Sequence, residues 1–330
     1  MAVQAGHITQ HTEEYRRDTG TVGVAFLVIN GLIGAGIFAM PELLHQAVGN
    51  FAPWLLLGGA CFMASVIICF AGLAGLTDRS GGPQRFATDA FGRFPGFQVG
   101  WLFYSSRMLG YAANVTVLIA YAAAFWPALG EGISRSLALI VIFGSITALN
   151  VLGMRRVVAV LGALTLFKLV PLILLIGVAI LANPGMSSVN LPQFPAIQGV
   201  ALSALYAFTG AENATVPAGE INNPKRALPQ ALLTSLAIVA LIYFALQFAY
   251  SASPVAGTGS KAPLAALAGY YLGNGGSLLI AATAILSVLA NSISGHTCAS
   301  RMTASLSDDR LLPRWFGKVS RWGTPSNSIV

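Results

Sequence analysis

Two apolar segments of the chain contain glycines at positions where helical hydrogen bonding could be interrupted. They are GLIGAGIF at 31–38 and YAFTGAEN at 206–213. Gly34, Ala35 and Gly36 lack bulky side chains, so free backbone N–H groups there could approach an anion, helped by the positive end of the helix that follows. The segment therefore predicts a carboxylate site. The alternative is that these glycines only allow helices to pack closely.

Two ionisable side chains lie deep in apolar stretches, where a charge costs about 2.5–3.5 kcal/mol to insert. Glu212 directly follows the second break, at Gly210, and is expected to be protonated, paired or functional. Lys168 is too deep in its span to reach the headgroups. Burial disfavours its charged form, so it could lose and regain a proton as its surroundings change from wet to dry. The alternative is a permanently charged lysine that holds spans together through backbone carbonyls.

Arg107 and Tyr111 lie one helical turn apart on the third apolar stretch. A fixed guanidinium could favour an acidic ligand or discourage a cationic one. Alternatively, Arg107 reaches the membrane surface or pairs with Glu212 or another carboxylate. No catalytic triad, metal-binding pattern or phosphate-binding loop is present in the sequence. We therefore expect no enzyme, no metal and no cofactor.

The composition shows which elements must position these residues. Of 330 residues, 55% are hydrophobic and 9% are charged, which is typical of an all-α polytopic membrane protein. Eight apolar stretches are long enough to cross about 30 Å of hydrocarbon. They run approximately over 22–40, 53–76, 98–125, 136–153, 157–182, 197–218, 228–250 and 276–303.

The net charge of +7 is explained by topology and not by a nucleic-acid partner. If the first connection lies outside, the inner segments hold most of the arginines and lysines, whereas Arg135 and Lys261 lie outside. This bias places the amino terminus in the cytoplasm and makes spans one and six antiparallel. Antiparallel broken spans are typical of inverted-repeat transporters, whose sites lie near the bilayer midplane.

The chain organisation is predicted to be a cytoplasmic tail, 1–20, followed by a single transmembrane domain, 21–330. Residues 76–96 are expected to form a short helix at the inner surface, 262–272 a re-entrant or surface helix, and 300–327 a cytoplasmic loop rich in cations. The sequence stops where a ninth span would begin. A five-plus-five repeat needs two more spans, so the chain is expected to be truncated after span eight.

Several motifs together resemble the amino acid, polyamine and organocation (APC) superfamily of transporters, which have the leucine-transporter fold. They are GLIGAGIF, RSGGPQRFATDAFG at 79–92, KLVP at 168–171, FTGAENATVPAGEINNPKRALPQAL at 207–231 and ASRMTASLSDDRLLPRWFGKV at 299–319. The resemblance implies an inverted repeat with discontinuous spans one and six. It also implies substrate contacts in both breaks, at Leu32, Gly34, Ala35, Gly36, Tyr206, Phe208, Thr209 and Gly210.

Within that resemblance, each residue has an implied role. The carbonyls of Leu32 and Thr209 would accept hydrogen bonds from a substrate ammonium, and Tyr206 would close over the substrate. Lys168 would occupy the place that sodium takes in sodium-coupled relatives and would couple transport to protons, together with Glu212. Relatives place side-chain-pocket residues on the third span, so Tyr111 and Arg107 could influence specificity, although an arginine at this position departs from the usual family pattern.

The sequence thus predicts a secondary amino acid transporter in the cell membrane that works by proton symport and alternating access. Its expected partners are an amino acid, protons and the lipid bilayer, with no nucleic acid. One alternative is an exchanger of amino acids, or of amino acids and polyamines. A second is a sensor that binds an amino acid without transporting it.

Overall fold

A computed structural model describes residues 17–182, 185 and 188–330, so most of the predicted tail 1–20 lies outside the described residues. The described chain is built from helices, with an isolated β-bridge between Thr19 and Ile221. The helices are α1 Thr21–Leu32, α2 Gly36–Val48, α3 Ala52–Ala74, α4 Pro83–Phe91, α5 Arg93–Phe125, α6 Gly132–Val151, α7 Met154–Ala182, α8 Phe194–Tyr206, α9 Pro224–Ser251, α10 Pro263–Asp308 and α11 Ser326–Ile329.

This is the all-α polytopic architecture that the composition predicts. Within the described residues, six helical segments are long and apolar enough to cross a membrane. They are Gly36–Ala74, Gly132–Val151, Met154–Ala182, Phe194–Thr215, Pro224–Ser251 and Pro263–Asp308. The first predicted span is divided between α1 and α2, and the third corresponds to α5, which has 33 residues. The predicted short helix within 76–96 is α4.

Both predicted helix breaks are present. The first separates α1 from α2 at residues 33–35, and the second follows α8, after which the chain resumes as a 3₁₀ turn, Ala211–Thr215. The breaks touch each other. A Cβ added at Gly31 would clash with the carbonyl oxygen of Gly210, and one added at Gly210 would clash with that of Gly31. Gly210 also has a φ of 108°, which side chains disfavour. The two glycines are therefore what lets the broken spans cross in contact.

The prediction of a cytoplasmic loop beginning at residue 300 is wrong for its first nine residues. Helix α10 continues to Asp308, and every residue from 296 to 307 is buried. The polar residues that suggested a loop are instead hydrogen-bonded inside the bundle, as buried polar groups require, and Arg301, for example, donates to Glu220. Earlier in α10, Gly273 has a φ of 69° and separates the main helix from a first part at 263–272, where a short helix was predicted.

The cation-rich connections gather at one end of the bundle, called here the basic end. It comprises residues 17–20, 77–93, 151–156, 217–226 and 301–324. Arg85 donates to the carboxylate of Asp309 at 2.7 Å, and Thr324 donates to the carbonyl of Val151 at 3.0 Å. Thr19 and Ile221 form the β-bridge there. These contacts tie distant parts of the sequence together on one side of the cavity described below.

Candidate functional site

The carbonyl groups released by the first break accept hydrogen bonds from other helices. The amide of Asn291 donates to Asn30 O at 2.8 Å and to Gly31 O at 2.9 Å. The hydroxyl of Tyr243 donates to Leu32 O at 3.0 Å. Helices α9 and α10 thus supply the hydrogen bonds that the interrupted helix lacks, as buried backbone requires. Because Tyr243 uses one lone pair of Leu32 O, the second lone pair is left for a ligand.

Lys168, on α7, supports the same break. Its side chain is fully buried, and Nζ donates to Ile33 O at 3.0 Å. The hydroxyl of Ser287 donates to the same carbonyl, also at 3.0 Å. The ammonium group therefore lies against the break but outside the cavity wall, since Lys168 does not line the cavity.

The amides of the break differ in their hydrogen bonding. Ile33 N–H still bonds to Ile29 O at 2.8 Å, whereas the N–H groups at Gly34 and Ala35 have no acceptor among the described residues. The first turn of any helix leaves its amides unpaired, and the start of α2 adds the positive end of the dipole. This geometry fits the carboxylate site that the sequence predicts.

A cavity of about 250 Å³ lies between the two breaks and helices α5 and α10. This volume suits a single small molecule rather than a drug-sized ligand, whose pocket spans about 300–1,000 Å³. Eight of the sequence-predicted residues line it: Leu32, Gly34, Ala35, Gly36, Arg107, Tyr111, Tyr206 and Thr209. The structure thus brings together residues that are up to 177 positions apart in the chain.

Three other predicted residues stand behind this wall. Phe208 is fully buried and packs on Tyr243, with ring centroids 5.3 Å apart. Gly210 is occupied by its contact with Gly31. Glu212 accepts a hydrogen bond from Gly210 N at 2.9 Å. By these contacts the three residues stabilise the second break, and they do not line the cavity.

Arg107 lines the cavity and also contacts residues that follow the second break. Its Nη2 lies 3.9 Å from Glu212 Oε1, and its Nη1 donates to Asn213 Oδ1 at 3.3 Å. The guanidinium also lies over the ring of Phe103, 5.2 Å from the centroid. Pairing with Glu212, one of the alternatives raised by the sequence, is therefore seen in the structure, although the pair is long.

Several residues of the site were not predicted from the sequence to contact substrate. Asn114 and Asn291 face each other across the cavity, with a hydrogen bond of 2.7 Å. Asn213 and Tyr243 also line it. Amide side chains in apolar spans usually form hydrogen bonds between helices, as Asn114 and Asn291 do here. Nothing in the sequence singles out Tyr243.

The sequence of the chain matches proteins of known class. A model of the amino acid permease family matches residues 20–330. The chain belongs to this family. It is 28% identical over 320 residues to the cadaverine/lysine antiporter of Escherichia coli K12, an alignment that covers 92% of the chain and 70% of that protein.

Two other relatives of the permease are also antiporters. The arginine/ornithine antiporter of Lactococcus lactis subsp. cremoris is 22% identical, over 96% of the chain and 67% of that relative. The arginine/agmatine antiporter of Chlamydia pneumoniae is 24% identical, over 95% of the chain and 69% of that relative. The family and these relatives confirm the resemblance drawn from the motifs. The protein is a multi-pass membrane permease of the amino acid transporter class.

Proposed function

We propose that the permease exchanges amino acids across the cell membrane, moving one substrate inward and another outward through the cavity between the breaks. The sequence alone favoured proton symport, with exchange as the alternative. The relatives favour exchange, because all three named above are antiporters. Exchange requires only that the protein change the side to which its site is open when a substrate is bound.

The observation that carries this proposal is the direct contact of the two broken helices at Gly31 and Gly210 beside a shared cavity. An amino acid has one carboxylate and one ammonium, which need donors and acceptors close together. The free amides of Gly34 and Ala35 supply the donors, and the carbonyls of Leu32 and Thr209 supply the acceptors. Antiparallel half-helices supply such a pair near the bilayer midplane.

Alternating access requires each side to close in turn, and the basic end contains a candidate gate. Glu220 and Arg301 form an ion pair in which both side chains are 1% exposed. Arg301 belongs to the buried segment 296–307 of α10, and Gly295, just before that segment, lines the cavity. By the positive-inside rule the basic end is cytoplasmic, so we propose that the pair opens when substrate passes to the cytoplasm.

Proton-coupled symport is the second candidate, and Lys168 is the observation that favours it. The side chain is fully buried and bonded to the first break through Ile33 O. If Lys168 releases its proton during the cycle, this bond changes and transport follows the proton gradient. If Lys168 stays charged, it only holds α7 against the break, and exchange needs no protons.

Uptake by purified protein in liposomes separates these proposals. Exchange predicts that labelled amino acid enters only when the liposomes contain unlabelled amino acid, and that a protonophore has no effect. Uptake into empty liposomes that a protonophore abolishes would instead support symport and overturn exchange. Binding without any flux would support the sensor alternative.

A Lys168→Gln variant sharpens the comparison because it removes the charge and keeps a hydrogen-bond donor, on a side chain that is one bond shorter. Exchange predicts that this variant retains substantial counterflow. Symport predicts that its proton-driven uptake is lost. Ser292→Ala, which removes only a hydroxyl bonded within α10, serves as the control for general damage to the bundle.

A further inference from the structure

The cavity wall contains one arginine with unused hydrogen-bond donors. The guanidinium of Arg107 has five N–H donors, and its hydrogen bond among the described residues is the one to Asn213 at 3.3 Å. Its Nε is buried and has no partner in the described part of the chain. The contact with Glu212, at 3.9 Å, is too long to be a hydrogen bond. The planar donor face is therefore free for a carboxylate.

The cavity wall carries a positive charge and no negative charge in the described part of the chain. Among the described residues that line the cavity, Arg107 is the only one with a formal charge, and none is acidic. Glu212 lies behind Arg107 and is held by Gly210 N–H. A second ammonium group on a substrate, such as that of lysine, would meet a cation and no carboxylate in the wall.

There is room beside Arg107 for a substrate side chain. A Cβ added at Gly110, on α5, or at Gly295, on α10, would meet no atom within 4 Å. The hydroxyl of Tyr111 is buried beside this space and has no hydrogen-bond partner in the described residues. A buried polar atom without a partner points to a ligand or water that completes it.

We propose that Arg107 determines specificity by binding the side-chain carboxylate of an acidic amino acid, with Tyr111 donating a second hydrogen bond to it. The inference rests on the proposed transport function and adds its substrate class. The α-carboxylate and ammonium of the substrate occupy the breaks, and the second carboxylate reaches α5. Arginine suits this task because its planar fork binds carboxylates with two parallel hydrogen bonds.

Glu212 has a defined place in this scheme. Its carboxylate is the counter-ion of Arg107 in the structure, and an incoming carboxylate competes with it. Neutralising Glu212 should therefore tighten the binding of an acidic substrate. If Arg107 were only the structural partner of Glu212, the same change would leave the guanidinium buried without its counter-ion and would not improve binding.

The test compares the binding of glutamate and glutamine, which have nearly the same shape, to the full-length permease. Wild type should bind glutamate more tightly than glutamine and much more tightly than lysine. Arg107→Gln should weaken glutamate binding by at least about tenfold, since a charge-assisted pair is lost, and should lower the ratio of glutamate affinity to glutamine affinity. Glu212→Gln should strengthen glutamate binding. Arg135→Gln, which removes an exposed arginine on α6, should change neither glutamate binding nor glutamine binding.

Arg107→Lys guards against misfolding, because it keeps the charge and loses the fork, and should fall between wild type and Arg107→Gln. Equal binding of glutamate and glutamine by wild type, a preference for lysine, or unchanged glutamate binding by Arg107→Gln would each overturn the proposal. Failure of the exchange proposal has a different signature. It appears in the dependence of flux on internal substrate, while the glutamate-to-glutamine binding ratio stays the same.

Discussion

Glu220 and Arg301 are 81 residues apart in sequence and form a buried ion pair between the segment after the second break and the end of α10. Arg301 Nε lies 2.7 Å from Glu220 Oε1, and Nη1 donates to Asn150 Oδ1 at 3.1 Å. Each side chain is 1% exposed. The pair thus joins α10, α6 and the second broken span at the basic end.

Removing one member of this pair should destabilise the protein more than removing both. Glu220→Leu leaves a buried guanidinium without its counter-ion, which costs about 3–5 kcal/mol. Combining it with Arg301→Met should recover part of that loss, because both charges are then gone. Thermal unfolding of the two single variants and the double variant in detergent measures the coupling. Additive losses would show that the pair is not coupled.

The Gly31–Gly210 crossing should not tolerate a methyl group. Alanine at either position would clash with the carbonyl oxygen of the other, so the broken spans would be pushed apart. We expect Gly31→Ala to abolish transport and lower thermal stability. Gly58→Ala is the matched control, since a Cβ there meets no atom within 4 Å. Normal flux through Gly31→Ala would show that the contact is not required.

Asn291 should be required for substrate binding although it acts mainly on the backbone. Its amide holds Asn30 O and Gly31 O, and its carbonyl receives the amide of Asn114. Asn291→Ala leaves these groups unpaired, at about 1–3 kcal/mol for each buried one. We expect weaker binding of all amino acids alike. An effect on acidic substrates alone would contradict this supporting role.

The buried carboxylate of Glu42 should hold the connection between α9 and α10 against α2. Glu42, on α2, accepts hydrogen bonds from the hydroxyl of Tyr250 and from the backbone amides of Gly257, at 3.0 Å, and Gly259. Glu42→Ala should free residues 252–262 from α2. Hydrogen exchange of that segment should then rise relative to wild type, whereas exchange in α4, at the basic end, should not change. Unaltered exchange in 252–262 would show that other contacts hold it.

Much of the fold followed from local pattern. Composition predicts a polytopic helical protein, and the glycines of 31–38 and 206–213 locate both breaks, because helix interruption depends on residues that are adjacent in sequence. The end of α10 was missed for a related reason. Residues 300–308 are polar and charged, and a local pattern cannot reveal that Arg301 finds its partner at Glu220.

The candidate site shows the same division. Eight of the predicted residues line the cavity. Six of them belong to the motifs of the two breaks, which lie beside it, and Arg107 and Tyr111 lie on α5. Tyr243 was missed because a tyrosine in an apolar helix has no distinguishing neighbours. Lys168 and Glu212 were recognised as unusual, but only their contacts show that one supports Ile33 O and the other lies behind Arg107.

The sequence by itself determined the membrane class, the positions of the helix breaks, the family resemblance and the unusual ionisable residues, since each depends on residue type and short-range spacing. Only the tertiary structure decided which groups pair. Contacts such as Gly31 with Gly210, Arg107 with Glu212 and Glu220 with Arg301 join segments far apart in the chain. In a buried environment, the free energy of a charge or a free carbonyl depends on the partner that packing brings to it.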